Sequence, residues 1–196
     1  MTGLGARLVD LAVMSFRDPR AGFRAVQAEA IPLAARSGGL LLVAVLSTLL
    51  IQPSLALMPP QPDDPVGQLL MSSPLRLAVL QWLVLAVSVV LVHRVGRAAG
   101  GQGSFEDALL LVVWLQVLML GLQLGQLAIQ LLLPPFAGLA GLASLVALLW
   151  LSSNFIAELH GFSSAARVLA GILLTAFCMA FIVALGLAIL LNAPEY

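Results

Sequence analysis

Four glutamines are the residues best suited to polar chemistry in an otherwise apolar stretch. Gln116, Gln123, Gln126 and Gln130 sit in one long hydrophobic run. At about 100° per residue they fall within roughly 80° of one another on a helix. Such a stripe can glue helices together, each amide bond contributing about 1–2 kcal/mol or less in lipid. It can also line a polar path for a neutral or zwitterionic solute. Gly121 and Gly125 lie on the opposite side of the same helix, and Gly138, Gly141 and Gly171 recur in later apolar runs. Small residues at this spacing let a neighbouring backbone approach closely, so these five glycines are expected to be close-packing positions.

A second group of candidates lies in the charged, glycine-rich segment before that helix, from His93 to Asp107. Arg94 and Arg97 flank the turn Gly100-Gly-Gln-Gly103 and could hold lipid head groups, at about 1 kcal/mol each. The same charges also serve simply to orient the chain. His93 and His160 both fall at helix ends and, with Glu158, offer three metal-ligand types. Histidines at such positions are ordinarily interfacial, and no metal site is expected. No phosphate-binding loop, paired-His zinc motif or serine elbow occurs. Catalytic residues and cofactor ligands are likewise not expected. No Asp, Glu, Arg or His lies at the centre of an apolar run, which argues against an ion-coupled transporter.

Positioning these residues requires a membrane. The 196 residues are 61% hydrophobic and 9% charged, with a mean hydropathy of +1.09. Apolar runs of this length mean transmembrane helices. The expected fold is all-α: a polytopic bundle of five spans, at about 38–58, 75–95, 108–133, 136–156 and 168–191. Residues 1–37 precede it as an interfacial segment of two short amphipathic helices. Asp18-Pro19 starts the second of these, and Pro32 ends or kinks it. The pattern Ser104-Phe-Glu-Asp107 is a capping box for the third span. Met58-Pro-Pro-Gln-Pro-Asp-Asp-Pro65 reads as an extended loop, and the last residues to Tyr196 as a short tail. Cys178 allows no internal disulfide and reads as a small packing residue. No cleavable signal is expected.

Every basic residue is Arg, and net charge is zero, so no attraction to nucleic acid is implied. Arg7, Arg17, Arg20, Arg24, Arg36, Arg94, Arg97 and Arg167 share one side of the five spans, and Arg76 lies on the other. The positive-inside rule puts the basic side in the cytoplasm, the N-terminus inside and the C-terminus outside; the absence of Lys suggests a GC-rich bacterial genome, so the expected membrane is a bacterial inner membrane with the C-terminus in the periplasm.

Three short segments carry a resemblance: Arg17-Asp-Pro-Arg20 with Phe23, Gly101-Gln-Gly103-Ser-Phe105, and Glu158-Leu-His-Gly161-Phe-Ser163. With the hydropathy layout they make the chain resemble the Yip family of five-span membrane proteins, and its bacterial branch in particular. The resemblance implies five helices and a cytoplasmic N-terminus. It also implies a scaffolding role, since eukaryotic members resemble platforms that recruit Rab-type GTPases. The long cytosolic domain and Tyr-Gly-Pro motif associated with those members do not occur here. The expected function is therefore a non-enzymatic scaffold or modulator of a membrane complex or the local bilayer. The alternative is a small permease or lipid-handling protein using the glutamine stripe. Expected partners are membrane lipids and either a membrane protein or further copies of the chain.

Overall fold

The computed structural model describes residues 3–56 and 73–191. The proline-rich loop at 58–65 and the tail lie outside the described residues. All described elements are helical: α1 (Leu4–Arg17), α2 (Pro19–Ala28), α3 (Leu33–Ala56), α4 (Pro74–Ala98), α5 (Phe105–Leu132), a 3₁₀ turn (Pro134–Phe136), α6 (Ala137–His160) and α7 (Ala165–Leu191). Five of these are long and apolar enough to cross a membrane. The chain is an integral membrane protein.

Local chemistry sets the helix boundaries. Asp18 caps α2 by accepting from the Ala21 N–H at 3.0 Å, and Pro19 occupies the first turn, where its missing N–H is not needed. Helix α2 stops at Ala28, because Ala30 turns left-handed at φ 48°. Pro32 therefore opens the next helix rather than closing this one. The N–H groups of Ala35 and Arg36 bond its carbonyl, and α3 begins at Leu33, five residues before the expected start of the first span. Ser104 caps α5, accepting from the Asp107 N–H at 3.0 Å and donating to the Asp107 carboxylate at 2.7 Å. The acid thus closes on the serine side chain, not on the backbone N–H of the usual capping box.

Helix α5 is the centre of the bundle, packed against α3, α4 and α6. Helix α7 packs mainly on α6, and Cys178 on it is exposed, not packed as expected. The core is lopsided. Ala108, Leu109, Leu110, Leu111, Val112, Trp114, Leu118 and Met119 of α5 are buried, with Val43 and Ala44 of α3, Leu85 and Val89 of α4, and Leu151 and Phe155 of α6. On α5 these all lie in the first fifteen residues, at the basic end. Leu131 and Leu132, at the other end of α5, are 59% and 78% exposed. Lipid tails are as apolar as leucine, so burial alone gives spans little reason to associate. Where the helices do close up, polar bonds and close backbone contacts must hold them, and those are concentrated at the basic end.

Candidate functional site

The three loop segments that single the sequence out meet at this end of the bundle. His160 joins two of them. Its side chain is 3% exposed. Nδ1 accepts the Gly103 N–H at 3.1 Å, and Nε2 lies 3.1 Å from the Val92 carbonyl. An Nδ1 that accepts and an Nε2 that donates define one neutral tautomer, with the proton on Nε2. The ring is seated against three glycines. A Cβ on Gly96 would land inside the imidazole. A Cβ on Gly101 would lie 2.5 Å from His160 Cβ, and one on Gly103 would lie 2.7 Å from the Leu159 side chain. Phe162 stacks on the other side of the ring, centroids 5.6 Å apart. Gly161, at φ 74°, turns the chain out of α6 so that Phe162 can fold back. Gly100, at φ 88°, makes the corresponding turn after α4.

The α1–α2 hairpin closes the site from the other side. Ser15 is fully buried; its hydroxyl donates to the Leu11 carbonyl at 2.9 Å and accepts from Trp114 Nε1 at 3.0 Å. Phe23 stacks on Phe155 with centroids 5.4 Å apart. Arg24 pairs with Glu158 at 2.9 Å, and Arg20 donates to the Ser163 carbonyl at 3.4 Å. Arg36 ties α3 to the start of α5: it donates to the carbonyls of Ile31 and Glu106, each at 2.8 Å, and pairs with Asp107 at 3.2 Å. Its guanidinium is only 11% exposed, so this is a bridge with most water excluded. These bonds join the α1–α2 hairpin, the α4–α5 loop and the α6–α7 loop into one cap.

The expected site residues are dispersed by comparison. Gln116 donates to Ser47 Oγ at 2.6 Å and glues α5 to α3. The buried oxygen of Gln123 has no partner, and the Gln126 amide lies against Gly141 on α6. Gln130 lies half-buried one turn further on. Of the five glycines expected at close-packing positions, Gly121, Gly125, Gly138 and Gly171 have nothing within 4 Å of an added Cβ inside the chain, and Gly141 meets the Gln126 amide at 3.4 Å. Gly121, Gly125 and Gly138 lie toward the end where the bundle splays, and Gly171 faces the cavity beneath the cap. The close-approach glycines are Gly22, Gly96, Gly101 and Gly103 instead. A run of three glycines in four residues at 100–103 was the available signal; what it fits around is visible only in three dimensions. His93 rests edge-on against Phe105 at 5.9 Å and does not join His160 in the cap. Glu158 is held by Arg24 and completes no metal set with the histidines. Arg94 and Arg97 are exposed on the last turns of α4.

One expected outcome separates the glutamines. Gln116→Leu strands Ser47 in the bundle and lowers stability by about 1 kcal/mol. Gln123→Leu removes an unpartnered buried oxygen and leaves stability unchanged or raised. Thermal unfolding of the two variants in one detergent checks the difference in sign.

Beneath the cap, α4, α5, α6 and α7 enclose a cavity of about 700 Å³. Of the four glutamines only Gln116 is among its lining residues. Comparison with known protein families matches residues 13–186 to the Yip1 domain. No curated protein and no solved structure matches the chain.

Proposed function

The chain belongs to the Yip1-domain family, and from that premise we propose that it is a non-enzymatic scaffold of a bacterial inner membrane. In this reading the basic end faces the cytoplasm and the C-terminus the periplasm, following the arginine asymmetry. The observation that carries it is the cap. Two loops far apart in sequence are locked together through His160, and the α1–α2 hairpin is tied onto them, giving a preformed surface while the rest of the bundle stays loosely packed. The polar groups of that surface are already engaged with one another: Glu158 with Arg24, Asp107 with Ser104 and Arg36, His160 with Gly103 and Val92. Groups engaged in this way hold the shape of the surface. A rigid surface at a membrane face suits the docking of a membrane-protein complex, because little ordering entropy remains to be lost on binding.

The test is site-specific photo-crosslinking in native membranes. A crosslinker at Gln102 or Arg97, both exposed at the cap, is expected to give one dominant protein adduct. The same crosslinker at Leu139, at the opposite end of the bundle, should not. Purification in nanodiscs should then retain that partner in fixed ratio. Retention of the chain alone, with no protein adduct from either cap position, would contradict the proposal.

A further inference from the structure

The cavity below the cap has a polarity gradient along its depth. Its walls are Val84, Leu85, Leu91, Val92 and Val95 of α4, with apolar residues of α5 and α6, and Val168, Gly171, Ile172 and Ala176 of α7. Among the polar side chains on the walls, Gln81 lies at the deep end, and the others are already engaged. Ser88, Ser152 and Thr175 each donate to a carbonyl of their own helix, and Gln116 donates to Ser47. The interior therefore offers a ligand mostly hydrocarbon.

The mouth is different. Ser163, Ser164 and Arg167 line it, and Arg167 is the one ionisable group among all the lining residues. Its guanidinium is exposed. The Ser164 oxygen accepts the Arg167 N–H at 3.3 Å, which leaves the hydroxyl proton free to donate outward. The N–H groups at the start of α7 also point this way, with the positive end of the helix dipole behind them. Arg20 is held against the same loop through the Ser163 carbonyl. No acidic residue lines the cavity to oppose an anion.

We propose that this cavity is a binding site for an anionic glycerophospholipid of the leaflet on the basic side: the phosphate at Arg167, Ser163 and Ser164, and one acyl chain in the apolar groove between α4 and α7. The dimensions agree. Arg167 to Ala176 spans about 14 Å along α7, close to the ~15 Å of hydrocarbon in one leaflet. The volume of about 700 Å³ falls in the range of roughly 300–1,000 Å³ typical of ligand cavities. Helix α7 makes its main packing on α6, so the groove can open sideways to the bilayer, and a lipid can enter without leaving the membrane. The charge at the mouth selects against a simple hydrocarbon or a cationic amphiphile. This site shares Gly96, Phe162 and Ser163 with the underside of the cap, but lipid binding here does not require a protein docked on the outer surface, and each proposal can hold without the other.

The probe is phosphatidylglycerol with a photoactivatable group on its acyl chain, compared with the same probe built on phosphatidylcholine, in bilayers containing the full chain. Adducts are expected on the stretches 84–96 and 168–176, with the phosphatidylglycerol probe preferred about fivefold. One cation at a membrane surface contributes about 1 kcal/mol, which converts to that factor. Arg167→Gln should abolish the preference. Ala176→Trp should fill the groove and remove the adducts, while background labelling at the exposed Phe181, Ile182 and Val183 persists and shows the chain inserted. Labelling spread evenly over all lipid-facing helices, or equal for both probes and insensitive to Arg167→Gln, overturns the proposal. A groove protected from both probes, with crosslinks between chains, would overturn it in favour of a second copy.

Discussion

Gly96→Ala is expected to destabilise the native chain and to lose that effect, or reverse its sign, when His160 is already alanine. The reason is geometric. The three atoms nearest a Cβ at position 96 all belong to the His160 ring, namely Nε2, Cε1 and Cδ2. With the ring present the methyl has no room, and α4 must move off α6. With the ring absent the same change replaces a glycine inside α4, which favours the helix by up to about 1 kcal/mol. His160→Ala alone should be severe. It leaves a cavity of ring size and an unpaired Gly103 N–H, together about 3–5 kcal/mol. Thermal unfolding should fall by roughly 10 °C for a chain of this size. A double-mutant cycle measures the coupling. Additive effects would mean that the ring does not sit against Gly96.

Gly22→Val should detach the α1–α2 hairpin. A Cβ at position 22 would lie 2.6 Å from Ser15 Cα and 2.8 Å from Ser15 N. These are backbone atoms of the crossing helix and cannot swing aside like the tip of a side chain. The hairpin must open, which breaks the Trp114–Ser15 bond and lifts Phe23 from Phe155. Overpacking of this kind costs about 1–3 kcal/mol or more. The five spans should still insert, so the readout is local: trypsin should cut at Arg17, Arg20 and Arg24 far faster than in the parent chain. An unchanged cutting rate with unchanged thermal stability would contradict the packing of α1 on α2.

The architecture was legible because it depends on one-dimensional signals. Runs of apolar residues, capping serines and the placement of arginines each act over a few positions, and together they define five helices with one basic end. The centrality of α5 was also readable, though for a different reason than the sequence offered. Gly121 and Gly125 suggested a packable face, yet they face open space; α5 is central because its first half, from Ala108 to Met119, is buried on nearly every side. The cap was legible only in its parts. Each glycine near position 100 reads as a turn, and only Gly100 has the positive φ a turn requires. Gly101 and Gly103 are glycine because a ring fifty-odd residues away fills the space a side chain would take. No periodicity reports such a fit, since it joins two loops through the fold. The same holds for the pairing of Arg24, read from sequence as an orienting charge, with Glu158, read as a metal-ligand type.

The most direct test of the cap is the protonation pattern of His160, read by ¹⁵N NMR of histidine-labelled chain in bilayers at neutral pH, with His93→Gln to remove the second ring. A cap locked around this side chain requires one neutral ring, protonated at Nε2 and accepting at Nδ1, and no averaging between tautomers. A ring that exchanges between tautomers, or that carries protons on both nitrogens, would mean that the two loops are not joined through His160 and that the preformed surface does not exist.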